Sequence, residues 1–179
     1  MIILNDKVSL RKVEEEDHRE LLRLMRNIYP PVYSHLWLDR GTEYINRLYS
    51  KNNLIKELKD PDSFYYLINY EKESIGILRI IINEQIPDIL DNSMVKLQRI
   101  YLSDKTQGKG IGTKILNWVE EEFCKSEKKT IWLEVMDTQH QTIKFYEKAG
   151  FSKKTKFQFD SDLMYKKYRG MYRMIKACK

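Results

Sequence analysis

The run Gln107-Gly108-Lys109-Gly110-Ile111-Gly112 sets three glycines within five positions, directly ahead of a helical pattern. The first amides of a helix have no intrahelical acceptor, and glycine leaves them uncovered. Together with the positive end of the helix dipole they form a cradle suited to phosphate. Only seven glycines occur in 179 residues, so the cluster is not a product of composition. A phosphorylated molecule, most simply a nucleotide, a dinucleotide or coenzyme A, is expected to dock there. The run is one residue short of the GxGxxG spacing, and no acidic residue ends a strand about 20 positions later, which argues against a dinucleotide fold.

The elements that position this cradle follow from apolar spacing. A strand over Val95–Leu102 feeds the glycines, and the helix behind them carries Ile111, Ile115, Leu116, Val119 and Phe123 on one side. Upstream, a short strand at Val8–Val13 leads into a helix over Glu14–Tyr29, with Leu21, Leu24, Met25 and Ile28 at helical spacing and acidic residues in its first turn. Pro30-Pro31 ends that helix. An aromatic loop, Tyr29 to Trp37, precedes a single helix over Thr42–Leu58. Phe64–Tyr70 and Ile75–Ile82 form an antiparallel hairpin, followed by a polar loop from Asn83 to Ser93. Downstream come a strand at Thr130–Met136, a helix over Gln139–Ala149 stopped by Gly150, and strands at Phe151–Phe159 and Tyr168–Ile175. The order is β-α-α-β-β-β-α-β-α-β-β, an α/β domain with a mixed sheet rather than a regular βαβ repeat.

Length suits one domain over residues 1–179 with a sizeable core. No apolar run approaches the roughly 18 residues that span a membrane, and Met1–Lys7 is charged too early for a signal peptide. A cytoplasmic location is expected. Cys124 and Cys178 lie far apart without a CxxC or a neighbouring His pair, so two free thiols are expected rather than a disulfide or a zinc site. The net charge of +6 favours anionic partners, but 32 basic residues are interspersed with 26 acidic ones in no long block, and no nucleic-acid motif is present.

The chain resembles the GCN5-related N-acetyltransferase (GNAT) superfamily. Gln107–Gly112 matches its Q/R-x-x-G-x-G/A signature after a hydrophobic strand, and Phe145-Tyr146-Glu147-Lys148-Ala149-Gly150-Phe151 matches its F-Y-x-x-x-G-F segment. One amphipathic helix and the strand Ile131-Trp132-Leu133-Glu134-Val135 separate the two, and Leu10-Arg11-Lys12-Val13 precedes an acidic helix start. The resemblance implies a GNAT fold: a mixed, mostly antiparallel sheet with a splay between its central strands, flanked by helices.

It also implies acetyl-CoA as cosubstrate and no metal. The pyrophosphate falls to Gln107, Gly108, Lys109, Gly110, Ile111, Gly112 and Thr113, with the Lys109 side chain turned to solvent. The pantetheine arm pairs with the backbone of Ile100, Tyr101 and Leu102, and Gln139 takes the place of an asparagine that contacts it. Transfer is direct, through a tetrahedral intermediate. Tyr146 is the general acid, although alone it reads as core beside Ile143, Phe145 and Ala149. Where relatives carry a basic glutamate before the glycine loop this chain has Gln98. Glu134 is then the base, matching the ribosomal-protein N-terminal acetyltransferase branch, unless water relays the proton or a cation merely satisfies it.

The acceptor pocket is expected from Tyr29, Tyr33, His35, Trp37, Phe157, Phe159, Asp160 and Asp162, aromatics and carboxylates that suit an organic cation. Leu97–Leu102 and Ile131-Trp132-Leu133 look like bacterial spermine/spermidine acetyltransferases. A small-molecule amine such as a polyamine ranks first, a protein N-terminus or lysine second, and a non-catalytic CoA-binding regulator third. Neither nucleic acid nor membrane is an expected partner. Tyr168–Ile175 and Tyr29–Trp37 offer surfaces for a homodimer.

Overall fold

A computed structural model describes residues 1–87, 89, 93–125 and 130–178. Positions 88 and 90–92 of the expected loop, and residues 126–129 and 179, lie outside the described residues. The strands are β1 (Ile2–Ile3), β2 (Val8–Lys12), β3 (Ser63–Tyr70), β4 (Glu73–Ile82), β5 (Met94–Leu102), β6 (Thr130–Met136), β7 (Ser152–Gln158) and β8 (Gly170–Ala177). The helices are α1 (His18–Ile28), α2 (Pro30–Tyr33), α3 (Thr42–Leu48), α4 (Lys51–Lys59), α5 (Ile111–Phe123) and α6 (His140–Lys148).

One sheet holds all eight strands in the order β1-β2-β3-β4-β5-β6-β8-β7. Every pairing is antiparallel except β5 with β6, whose connection runs through α5. Alternation along the strands divides the core by face. Tyr66 and Ile68 of β3 pack with Ile115, Val119 and Ile143 of α5 and α6, whereas Tyr65 and Leu67 pack with Leu21, Met25, Ile45 and Leu54 of α1, α3 and α4. The mixed, mostly antiparallel sheet between helical layers is as expected.

Two departures in the sheet make the site. The parallel register of β5 and β6 covers only Met94↔Thr130, Val95↔Ile131 and Lys96↔Trp132, while β5 continues to Leu102 and β6 to Met136. Beyond Lys96 and Trp132 the two strands are unpaired with each other, which is the expected splay. In β5, Arg99 faces Arg79 but Leu97 faces Ile80, so Gln98 is the extra residue of a β-bulge. The bulge shifts the alternation, and both Gln98 and Arg99 line the cavity described below.

Several expectations are corrected. Pro30-Pro31 ends α1 but also starts α2 with proline at its first positions, where no N–H is needed, and a 3₁₀ turn at Ser34–Leu36 follows. The aromatic loop is therefore largely helical. The helix expected over Thr42–Leu58 breaks at Tyr49-Ser50, because the Ser50 hydroxyl accepts from the Asn53 amide at 3.2 Å and caps α4. Cys124 and Cys178 are joined in a disulfide, with Cα atoms 5.4 Å apart. Sequence separation concealed the meeting of the end of α5 with the chain beyond β8. No helix among the described residues is long and apolar enough to cross a membrane.

Candidate active site

The glycine run folds as the spacing predicts. Gly108 (φ +75°) and Gly110 (φ +69°) take left-handed backbone, which side-chain-bearing residues adopt at a cost, and a Cβ at either would meet nothing within 4 Å. Conformation, not crowding, calls for glycine at both. Gly110 caps α5, and the first bond of the helix runs from the Lys114 N–H to the Gly110 carbonyl at 3.1 Å. The amides of Ile111, Gly112 and Thr113 therefore precede any acceptor of their own helix. No acidic residue stands in the first turn of α5 to compete for its positive end. This cradle fits a phosphate-bearing ligand.

From the cradle a groove of about 600 Å³ runs along the free part of β5. Ile100, Tyr101, Leu102, Gln107, Gly108, Gly110, Gly112 and Thr113 line it, all of them expected cofactor residues. Ile111 instead buries its side chain in the core, and Lys109 lies outside the lining, its ammonium 4.5 Å from the Tyr70 ring centroid. The facing wall comes from α6, through Gln141, Thr142, Phe145 and Tyr146, and from Ile28, Val32 and Tyr33. Spacing of i, i+3 and i+4 puts Thr142, Phe145 and Tyr146 on one helical face, a pattern that was present in the sequence but unassigned.

A second cavity, about 140 Å³, lies on the side of the sheet covered by α1–α4. Tyr33, Ile100, Tyr101, Thr142 and Tyr146 border both spaces, so the groove and the cavity share a wall. Tyr146 is 6% exposed, and burial pushes its phenol well above the ordinary tyrosine range. At neutral pH it is a proton-bearing group.

Aromatic residues build the outer wall of the cavity. Tyr29 has ring centroids of Tyr33, Tyr44 and Tyr101 at 4.7, 5.2 and 5.6 Å, and Trp37 stacks on Tyr44 at 4.7 Å. The Trp37 indole N–H donates to the Tyr29 hydroxyl at 3.0 Å. Burial holds Tyr29 and Tyr101 neutral well beyond the usual tyrosine value and pushes Tyr33 up to about 12. Of the expected acceptor residues, Tyr29, Tyr33, Trp37 and Phe159 line the cavity, whereas His35, Phe157, Asp160 and Asp162 do not. Tyr44 was missed, and Tyr101 enters with its side chain as well as its backbone.

The polar part of the lining is Gln98, Arg99, Glu134, Gln139 and Thr142. Gln139, expected among the cofactor residues, lines this cavity and not the groove along β5. Glu134 is held on both oxygens, by Arg173 Nε at 3.3 Å and Lys96 Nζ at 3.5 Å. Arg99 makes a two-pronged pair with Glu57 at 2.8 and 2.6 Å, and Arg79 reaches the same carboxylate at 3.4 Å. Burial works against the charge of Arg99, but Glu57 together with Tyr49 and Tyr65 more than offsets it and the Arg99 pKa rises, whereas for Arg79 burial prevails and the pKa falls. Among the described residues, no cluster of His, Cys, Asp and Glu is arranged to hold a metal.

A phosphate cradle, a channel along an opened strand and a second cavity across one tyrosine are compatible with transfer of a group from a phosphate-bearing donor. The model of the Acetyltransferase (GNAT) family matches residues 20–151, and the chain belongs to that family. It is an acetyl-CoA-dependent N-acetyltransferase. An uncharacterized N-acetyltransferase in the pepI 3′ region of Lactobacillus delbrueckii subsp. lactis is 23% identical over 150 residues, covering 82% of this chain and 85% of that relative. The PaiA N-acetyltransferase of Thermoplasma acidophilum in complex with coenzyme A shares the fold at a TM-score of 0.71, with 21% identity over 95% of this chain and 98% of that one. The spermidine N-acetyltransferase of Vibrio cholerae in complex with CoA and spermine gives a TM-score of 0.70 at 21% identity, over 97% of each chain.

Proposed function

We propose that the chain acetylates a primary amine of a small molecule that enters the aromatic cavity and reaches the donor groove beside Tyr146. The observation that carries this reading is the wall shared by groove and cavity. A cavity of about 140 Å³ suits a compact molecule better than a length of protein chain. The likeness to spermidine N-acetyltransferases puts polyamines among the amines to be tried, and the aromatic wall offers faces for a single organic cation.

Acetyl-CoA supplies an acetyl group already activated as a thioester. The amides of Gln107 to Thr113 hold its phosphates, and the free edge of β5 from Ile100 to Leu102 orients its arm. Gln139 bears on the acceptor side. The carbon–nitrogen bond forms first, giving the tetrahedral intermediate, and the carbon–sulfur bond breaks as it collapses. Tyr146 Oη donates a proton to the departing sulfur, and the proton shed by nitrogen passes to Glu134 or through water to solvent. Tyr146 is thus proposed as the acid, and the base is Glu134 or a water relay, both Glu134 oxygens being already paired with cations. Release of CoA thiol from acetyl-CoA, measured with a panel of small amines and with peptide amines, tests the reading. Release that depends on a small amine supports it, and release that depends only on peptides overturns it.

A further inference from the structure

The fixed charges around the acceptor cavity do not suit a polycation. Glu134 is the only carboxylate among the described lining residues, and both its oxygens already face cations. Asp39 accepts the amides of Gly41 and Glu43 at 2.9 and 2.7 Å, so its carboxylate is taken up at the start of α3. Asp160 and Asp162 lie away from the lining. Arg99 in the floor and Arg79 beneath it share the carboxylate of Glu57, and all three are at most 8% exposed. Each further ammonium brought inside would lose its water without gaining a free anion.

Gln98 sharpens the point. Its Oε1 accepts from Arg79 Nη1 at 2.8 Å. A guanidinium donor requires the carbonyl end of the amide, so Nε2 is the end left for the cavity. The bulge sets this donor beside Arg99, and both line the cavity. A carboxylate at this position would attract an ammonium; an amide N–H turned to the cavity beside the Arg99 guanidinium suits an anion.

We propose that the acceptor is an amine that also bears a carboxylate, a compact zwitterion of the amino-acid type, selected by Gln98 and Arg99. This rests on the reading of the chain as a small-molecule amine acetyltransferase. The carboxylate accepts from Gln98 Nε2 over the Arg79–Arg99 pair, the apolar part packs on Tyr29, Tyr33 and Tyr101, and the amine is left toward Tyr146. The size is suitable, since a cavity of about 150 Å³ holds a benzene ring.

The test is CoA release by the purified chain with matched acceptors: lysine against cadaverine, phenylalanine against phenethylamine, and spermidine alongside. The carboxylated members are expected to show kcat/KM about tenfold higher or more, the scale of one hydrogen bond to a charged group. Gln98→Glu, which keeps a partner for Arg79, is expected to erase that preference by raising KM for the carboxylated acceptors and not for the decarboxylated ones; the ratio within each matched pair is the readout, because a carboxylate at 98 also stands where relatives carry a base. Higher kcat/KM for the decarboxylated members or for spermidine overturns this inference and leaves the small-molecule reading standing. Turnover of no small amine overturns both.

Discussion

Gly112 at the start of α5 and Phe145 on α6 are in close contact: a Cβ built on Gly112 would stand 3.0 Å from Phe145 Cζ. The two sequence segments that announce the family therefore meet in space, on the wall of the donor groove. Glycine at 112 lets the ring of Phe145, next to Tyr146, lie against the phosphate cradle.

Gly112→Ala is accordingly expected to push the half-buried Phe145 ring into the groove. KM for acetyl-CoA should rise several-fold, while stability changes by less than about 1 kcal/mol because alanine favours the helix by that amount over glycine. Steady-state kinetics with a parallel thermal melt separate the two effects.

Glu57 is the single buried carboxylate for two buried guanidiniums, Arg79 and Arg99. Glu57→Ala leaves both charges uncompensated and should cost about 3–5 kcal/mol. Urea denaturation measures it. A loss below about 1 kcal/mol would mean that the cluster is relaxed by water.

The disulfide closes a separation of 54 residues. In the chain-entropy picture such a link removes about 4 kcal/mol of unfolded-state freedom. Reduction, or the double change Cys124→Ser and Cys178→Ser, should lower the melting midpoint without altering kcat of the folded fraction, since neither cysteine lines the groove or the cavity.

Burial raises the phenol pKa of Tyr29, Tyr33, Tyr49, Tyr65, Tyr101 and Tyr146. A raised pKa gives stability that is intact below the unfolded value of about 10 and lost as pH climbs toward the folded value. For Tyr33 that folded value is about 12. Melting midpoints should show no tyrosine-linked loss up to about pH 9.5 and fall steeply above pH 10, with tyrosinate absorbance rising only as the chain unfolds.

Much of this was readable from one sequence. The glycine run, the Phe145–Phe151 segment and the apolar spacing between them fixed the element order, and with it the groove lined by Gly108, Gly110 and Gly112. What escaped reading depends on partners distant in sequence. The bulge at Gln98 exists only relative to Arg79 and Ile80 across the strand pair. Tyr29, Tyr44 and Tyr101 come from three elements, and only their packing makes a wall. Ser50 with Asn53 did carry a capping signal, but unbroken apolar spacing from Ile45 to Leu54 masked it. Asp160 and Asp162 suggested a cation site by composition alone, and the Asp162 side chain is fully exposed.

The most direct test of the account is kcat for CoA release in Tyr146→Phe at saturating acetyl-CoA and acceptor. Removing a positioned general acid should lower kcat by about a hundredfold or more, with KM for acetyl-CoA nearly unchanged and the N-acetylated amine still formed in step with free thiol. A variant that turns over at the wild-type rate would contradict the account, because no proton from Tyr146 would then be needed for the sulfur to leave.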